Sequence, residues 1–164
     1  MVNIREFKRG DADRMISIAP RAFSVWTRLA LDKTLPKAGT EDYLKREVNW
    51  YINRARRKER GFGILVAEED EDVVGYIVVS VDHVRSEIFG FSWGQITSLA
   101  VDPDCHGRGI GSSLIAAGLD WLKDNGVKYA EVLTDQNNIA AIRAYENNGF
   151  RVIYSSMILS QYLQ

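Results

Sequence analysis

A chain of 164 residues can form one domain with a substantial core, one that buries about 70% of the surface its unfolded form exposes, and its net charge of −1 offers no overall attraction to nucleic acid or an anionic membrane. One cysteine, Cys105, excludes an internal disulfide and a thiolate metal centre, and with only His83 and His106 beside it no metal site is expected. No apolar run approaches about 18 residues and no signal pattern opens the chain, so a cytoplasmic location is the expectation, with residues 1–164 read as a single domain.

Met1 to Lys8 alternates in part and reads as a first strand. Asp11 is placed to cap a short helix that ends near Pro20, with Asp13 adding negative charge to its first turn. Residues 21–39 are less regular, with Phe23, Val25, Trp26, Leu29 and Leu31 apolar and Pro36 and Gly39 as breaks. Thr40 caps a second helix from Glu41 to about Lys58, whose apolar stripe is Leu44, Val48, Tyr51, Ile52 and Ala55. The basic cluster at its end, Arg54 to Arg60, suits the negative end of the helix dipole and has no interleaved aromatics of the kind that stack on nucleic-acid bases.

Ile64 to Glu68 and Val73 to Val81 read as an antiparallel hairpin, with the acids of residues 69–72 as a solvated turn. Residues 82–94 are a longer link holding Glu87, Phe89, Phe91 and Trp93. A strand carrying Ile96, Leu99 and Val101 then stops at Asp102-Pro103, and a loop with Gly107, Gly109 and Gly111 leads into a helix with Ile110, Leu114, Ala117, Gly118 and Trp121 on one face. A helix that starts directly after a glycine-rich loop presents unpaired N–H groups at the positive end of its dipole, a site for a phosphate or pyrophosphate. Asn125-Gly126 ends that helix, and Lys128 to Thr134 forms the next strand, parallel to the previous one through a right-handed crossover. Asn138 caps a helix from Ile139 to Asn148 with Gly149 at its C′ position, and Phe150 to Leu163 reads as one long or two short antiparallel strands.

The loop is not the dinucleotide fingerprint Gly-x-Gly-x-x-Gly, because counting from Gly107 the third glycine falls on Ser112 and only one parallel crossover is visible. It resembles instead the pyrophosphate loop of the GNAT (Gcn5-related N-acetyltransferase) superfamily at Gly109 and Gly111, with His106 standing where that family usually has Gln or Arg. Asn138, Ala141, Tyr145, Gly149 and Phe150 match a second segment of the same family, in the expected order. The resemblance implies an α/β (α+β) fold: a mixed, mostly antiparallel central sheet with helices on both faces and one parallel strand pair at an acetyl-CoA cleft. It also implies acetyl-CoA as co-substrate and an amine acceptor; composition and charge give no metal and no nucleic-acid or membrane partner, and a homodimer is left open.

Carried across residue by residue, the backbone of Leu99, Ala100 and Val101 would pair with the pantetheine arm. The loop from His106 through Gly107, Arg108, Gly109, Ile110 and Gly111 to Ser112 would hold the pyrophosphate, and Asn138 would contact the pantetheine side. Tyr145 would sit near the thioester sulfur as the acid that protonates the departing thiolate, since a phenol with a pKa near ~10 is protonated at neutral pH. The base is open: family positions that often carry Glu, Tyr or His hold Gln95 and Leu133 here, which leaves Glu131, Glu87 or a water oriented by Gln95. Phe23, Trp26, Phe89, Phe91 and Trp93 flank the implied acceptor groove, although core packing would use the same residues. Cys105 reads as a packing residue, with no base at hand to activate it. The activity expected is acetyl transfer to a primary amine of a small molecule or of a protein N-terminus or lysine, in a ternary complex. The alternative is a non-catalytic acyl-CoA-binding or regulatory module of the same fold.

Overall fold

A computed structural model describes residues 1–23, 40–157 and 159. Among these residues five strands form one sheet in sequential order: β1 (Asn3–Glu6), β2 (Phe62–Glu69), β3 (Asp72–Asp82), β4 (Trp93–Val101) and β5 (Tyr129–Val132). The first three pairings are antiparallel, and β4 with β5 is parallel, as the crossover requires. Helices α1 (Ala12–Phe23) and α2 (Thr40–Arg56) cover one face; α4 (Ile110–Asp124) and α5 (Ile139–Asn147) cover the other. A short α3 (His83–Phe89) joins β3 to β4.

Two cores result, one on each side of the sheet. Met15, Ile18, Leu44, Val48 and Tyr51 of the first two helices pack against Ile64, Val66, Tyr76, Val78 and Ala100. Leu114, Ile115, Leu122 and Tyr145 pack against Leu65, Ala67, Ile77, Val79 and Ile96. β3 is covered on both faces, so Val73 to Val81 forms a nearly continuous apolar run broken only by Gly75 and Ser80. Gly118 lets α4 lie close on β3, because a Cβ there would stand 2.8 Å from Ile77 Cδ1. The stripe expected on α2 is the one that packs inward, with Leu44, Val48, Tyr51 and Ile52 buried and Ala55 partly so.

Four local expectations are corrected. α1 runs through Pro20 to Phe23, and Asp11 lies in a single 3-10 turn before it, where it accepts from Lys8 N at 2.6 Å and pairs with Arg5. The link at residues 82–94 contains α3, capped by Asp82, whose side chain accepts from Arg85 N at 2.9 Å. The acids at the β2–β3 turn are not all simply solvated: Glu69 pairs with Arg108 and Asp72 lies 3.7 Å from Arg14, while Asp70 and Glu71 both take positive φ in a two-residue hairpin turn. Residues 151–157 and 159 form no strand, and Val152, Ile153, Tyr154, Met157 and Leu159 are exposed. Val25, Trp26, Leu29 and Leu31 lie outside the described residues.

Candidate active site

The cleft arises from the way β4 parts from β5. Their parallel register runs from Trp93↔Tyr129 to Ile96↔Val132 and stops there. At that point β4 carries a bulge against β3: Val78 pairs with Ser98 and Val79 with Ile96, which leaves Thr97 as the extra residue. A bulge bends its strand and increases the local twist. Among the described residues the β5-facing backbone edge of β4 is therefore without a ladder partner beyond Ile96, over the stretch that contains Leu99, Ala100 and Val101.

A cavity of about 270 Å³ fills the opening. Ile96 to Leu99 line one wall and Val132 to Thr134 the other; Asn138, Ala141 and Tyr145 come from α5, and Phe23, Tyr43, Leu44 and Glu47 from α1 and α2. Tyr145 is buried, stacks edge-on with Phe150, and has its phenol pushed up to about 12 by that burial. Its hydroxyl makes no hydrogen bond among the described residues, so it remains a protonated donor facing the cavity. Asn138 caps α5 by accepting from Ala141 N at 3.3 Å, which fixes its side chain at the cavity wall.

Where β4 ends, the glycine-rich loop begins. Gly107 and Gly109 take φ of +75° and +78°, a left-handed conformation that glycine adopts without strain, and nothing lies within 4 Å of where their Cβ atoms would be. The exposed loop thus offers bare backbone at the start of α4, and the N–H groups of Ile110, Gly111 and Ser112 have no partner within the helix. Unpaired N–H groups at the start of a helix are a general setting for an anion. Three side-chain contacts hold the loop in place. His106 Nε2 lies 3.0 Å from Val101 O, Arg108 pairs with Glu69 on the hairpin, and Asn148 Nδ2 donates to Ser112 Oγ at 2.8 Å. His106, which stands where the family usually has Gln or Arg, is exposed on the loop, and its ring engages the carbonyl of Val101 at the end of β4. Cys105 is half-buried and packs against the second core.

The expected bases are less well placed. Glu131 pairs opposite Gln95 in the parallel register, but its carboxylate is held by Arg85 of α3. Glu87 is exposed on α3, and neither it nor Gln95 lines the cavity. Leu133 lines the cavity, although most of its surface is exposed. Of the aromatics expected at the acceptor groove, Phe23 reaches the cavity wall. Phe89, Phe91 and Trp93 stack on one another, with centroid distances of 4.8 to 6.2 Å, and on Tyr129, away from the cavity lining. The sequence reasoning missed Glu47. It sits three residues after Leu44 and four before Tyr51, inside the apolar stripe, and a carboxylate on a buried helix face was the signal.

A profile of the acetyltransferase (GNAT) family matches residues 24–150. The chain belongs to the GNAT family. A mycothiol acetyltransferase from Acidimicrobium ferrooxidans is 35% identical over 108 residues, which cover 64% of this chain and 34% of that protein. This GNAT chain spans between 27% and 46% of the length of the mycothiol acetyltransferases it matches. A solved structure from Pyrococcus horikoshii OT3 superposes with a TM-score of 0.74 at 25% identity, covering 96% of this chain and 94% of that one. The fold is also that of AAC(6')-Iy in complex with the bisubstrate analogue CoA-S-monomethyl-acetylneamine: TM-score 0.69, 15% identity, 99% of each chain covered. The mixed sheet and its one parallel pair are thus the family's fold, as the loop and the Asn138–Phe150 segment implied. Among the described residues no helix is long and apolar enough to cross a membrane.

Proposed function

We propose that this chain transfers the acetyl group of acetyl-CoA to a primary amine in a ternary complex. The observation that carries the reading is the parting of β4 from β5 beyond Ile96↔Val132, with Tyr145 in the resulting cavity and the glycine loop following the end of β4. The free edge of β4 suits the amides of a pantetheine arm at Leu99 and Ala100, and the loop N–H groups suit its pyrophosphate. Asn138 and Tyr145 stand where the arm would end. Tyr145 is the acid: burial keeps its phenol protonated until a thiolate needs the proton. The amine's lone pair forms the C–N bond as the C–S bond breaks, and the cavity walls hold the two reactants in line.

Calorimetric titration with acetyl-CoA, with NAD and ATP as controls, tests the reading. Selective binding of acetyl-CoA, followed by release of free CoA when amines are added, is the expected result. Equal binding of NAD, or no binding of acetyl-CoA, overturns it. Binding without CoA release from any primary amine or peptide N-terminus would leave an acyl-CoA-binding module of the same fold.

A further inference from the structure

We propose that Glu47 takes the proton from the acceptor's ammonium group; the proposal rests on the transferase reading above. Glu47 projects from α2 into the cavity that also holds Tyr145 of α5 and Ser98 of β4. It thus faces the reaction space from the sheet face opposite to the helix that carries the acid. An amine reaching the open edge of β4 from the α1–α2 side meets this carboxylate. Of the carboxylates among the described residues, it is the one that lines the cavity.

Its surroundings suit a base. Glu47 is half-buried and takes part in no ion pair among the described residues. Its neighbours are phenols: Tyr43 Oη lies 3.4 Å from Glu47 Oε1, and the buried Tyr51 is within reach of the same carboxylate. On β3, the fully buried Tyr76 hydroxyl makes no hydrogen bond among the described residues, although Ser98 and Glu47 both lie close enough to perturb it. Burial raises the Glu47 carboxyl above its ordinary range, against the opposing effect of hydrogen bonds from Tyr51 and Tyr43. A carboxylate with a raised pKa is the better proton acceptor at neutral pH. Glu131, by contrast, is neutralised by Arg85.

The protons balance. The acceptor arrives as an ammonium and gives one proton to Glu47. The freed lone pair forms the C–N bond and the C–S bond breaks. The leaving thiolate takes the proton of Tyr145, the second proton shed by nitrogen restores the phenol, and Glu47 returns its proton to solvent. Among the described residues, the titratable groups that face Glu47 are Tyr43 and Tyr51 on its own helix, Tyr76 on β3 and, across the cavity, Tyr145 on α5; burial raises the phenols of Tyr51, Tyr76 and Tyr145 and keeps them protonated.

The test compares wild type, Glu47→Gln, Glu47→Asp and Glu131→Gln. Acetyl-CoA affinity, melting temperature and CoA release are measured against a fixed set of benzylamine, spermidine and a peptide with a free N-terminal alanine, over about pH 6 to 10. The expected result is that Glu47→Gln keeps its melting temperature and acetyl-CoA affinity and loses on the order of 100-fold in kcat/KM at pH 7. It should recover toward high pH, where the amine is already free, and Glu47→Asp should regain part of the rate. A pH profile unchanged in Glu47→Gln, or the same loss in Glu131→Gln alone, overturns the proposal and leaves the transferase reading standing. Acetyl-CoA binding without CoA release by the wild type removes both.

Discussion

Arg21 Nη1 donates to Asp102 Oδ2 at 2.9 Å, a hydrogen bond that clamps the end of α1 to the residue immediately after β4. Arg14 Nη2 reaches the same oxygen at 3.1 Å, and the other oxygen, Oδ1, accepts from Asp104 N at 3.1 Å. Asp102 is almost wholly buried, so its charge is compensated by these donors rather than by water. The cluster sits at the hinge between the open strand edge and the glycine loop. Asp102→Ala leaves Arg14 with Asp72 and Arg21 with Asp104, both part-exposed, and frees the turn at Pro103. The expected cost is about 2 kcal/mol of stability, the scale for losing hydrogen bonds to a charged group. For a chain of this size that is a fall of roughly 4–8 °C in melting temperature. Calorimetric melting of the variant checks it, and an unchanged melting temperature would show that the clamp contributes nothing net.

Tyr145→Phe removes only a hydroxyl, one that makes no hydrogen bond among the described residues. Its loss should therefore leave stability within about 0.5 kcal/mol of wild type. If Tyr145 is the acid, kcat falls on the order of 100-fold while acetyl-CoA affinity stays the same. Single-turnover rates beside a calorimetric Kd separate the two effects. Wild-type turnover in the Phe variant would retire Tyr145 as the proton donor.

The parts legible in the sequence were those fixed by local chemistry. The helix faces of α2 and α4, the hairpin of β2 and β3, and the caps at Asn138 and Gly149 all follow from periodicity and turn residues within a few positions. What was not legible depends on partners distant in sequence. α3 is one helical turn and three further residues, and Asp82 starts it, while its aromatic end is held by Trp93 and Tyr129 across the sheet edge. The alternation of Val152, Tyr154 and Ile158 suggests a strand, but alternation does not supply a ladder partner, and the described residues after Phe150 have none. The bulge at Thr97, which opens the cleft, leaves no mark in composition; its neighbour across the pair, Ser80, lies 3.1 Å away hydroxyl to hydroxyl. Glu47 was hidden because an apolar stripe was read for its apolar members alone.

Gly109 is the residue on which the proposed anion site depends. Its φ of +78° places it in the left-handed region, and the space beside it is open. Gly109→Ala therefore meets no steric clash, only backbone strain of about 1 kcal/mol. Gly109→Glu adds a negative charge beside the free N–H groups of α4. Both should fold, with acetyl-CoA affinity reduced several-fold in the first and at least on the order of 100-fold in the second. Titrations of the two variants with acetyl-CoA check this ranking. Equal affinity in Gly109→Glu and wild type would remove the loop from the binding site.

Arg5 sits between two carboxylates, and that arrangement gives the fold an acid-sensitive joint. Arg5 Nη1 donates to Asp11 Oδ2 at 2.8 Å, and its Nε donates to Glu68 Oε2 at 2.8 Å. Burial alone would raise Asp11, but the hydrogen bonds from Arg5 and from Lys8 N outweigh it and hold the carboxyl below its ordinary value. Glu68 is held low chiefly by its hydrogen bond from Arg5. A carboxylate depressed in the folded state contributes stability that is fully present above its unfolded pKa, about 4, and is lost as pH falls through the folded value. In Asp11→Asn that contribution is gone at every pH. The variant should melt below wild type at about pH 7, and the gap should narrow steadily between about pH 5 and pH 2 as the wild type loses the same interaction. Melting curves of both proteins across that range decide it. A gap that stays constant down to pH 2 would mean that Asp11 acts as a neutral hydrogen-bond acceptor rather than as the charge partner of Arg5.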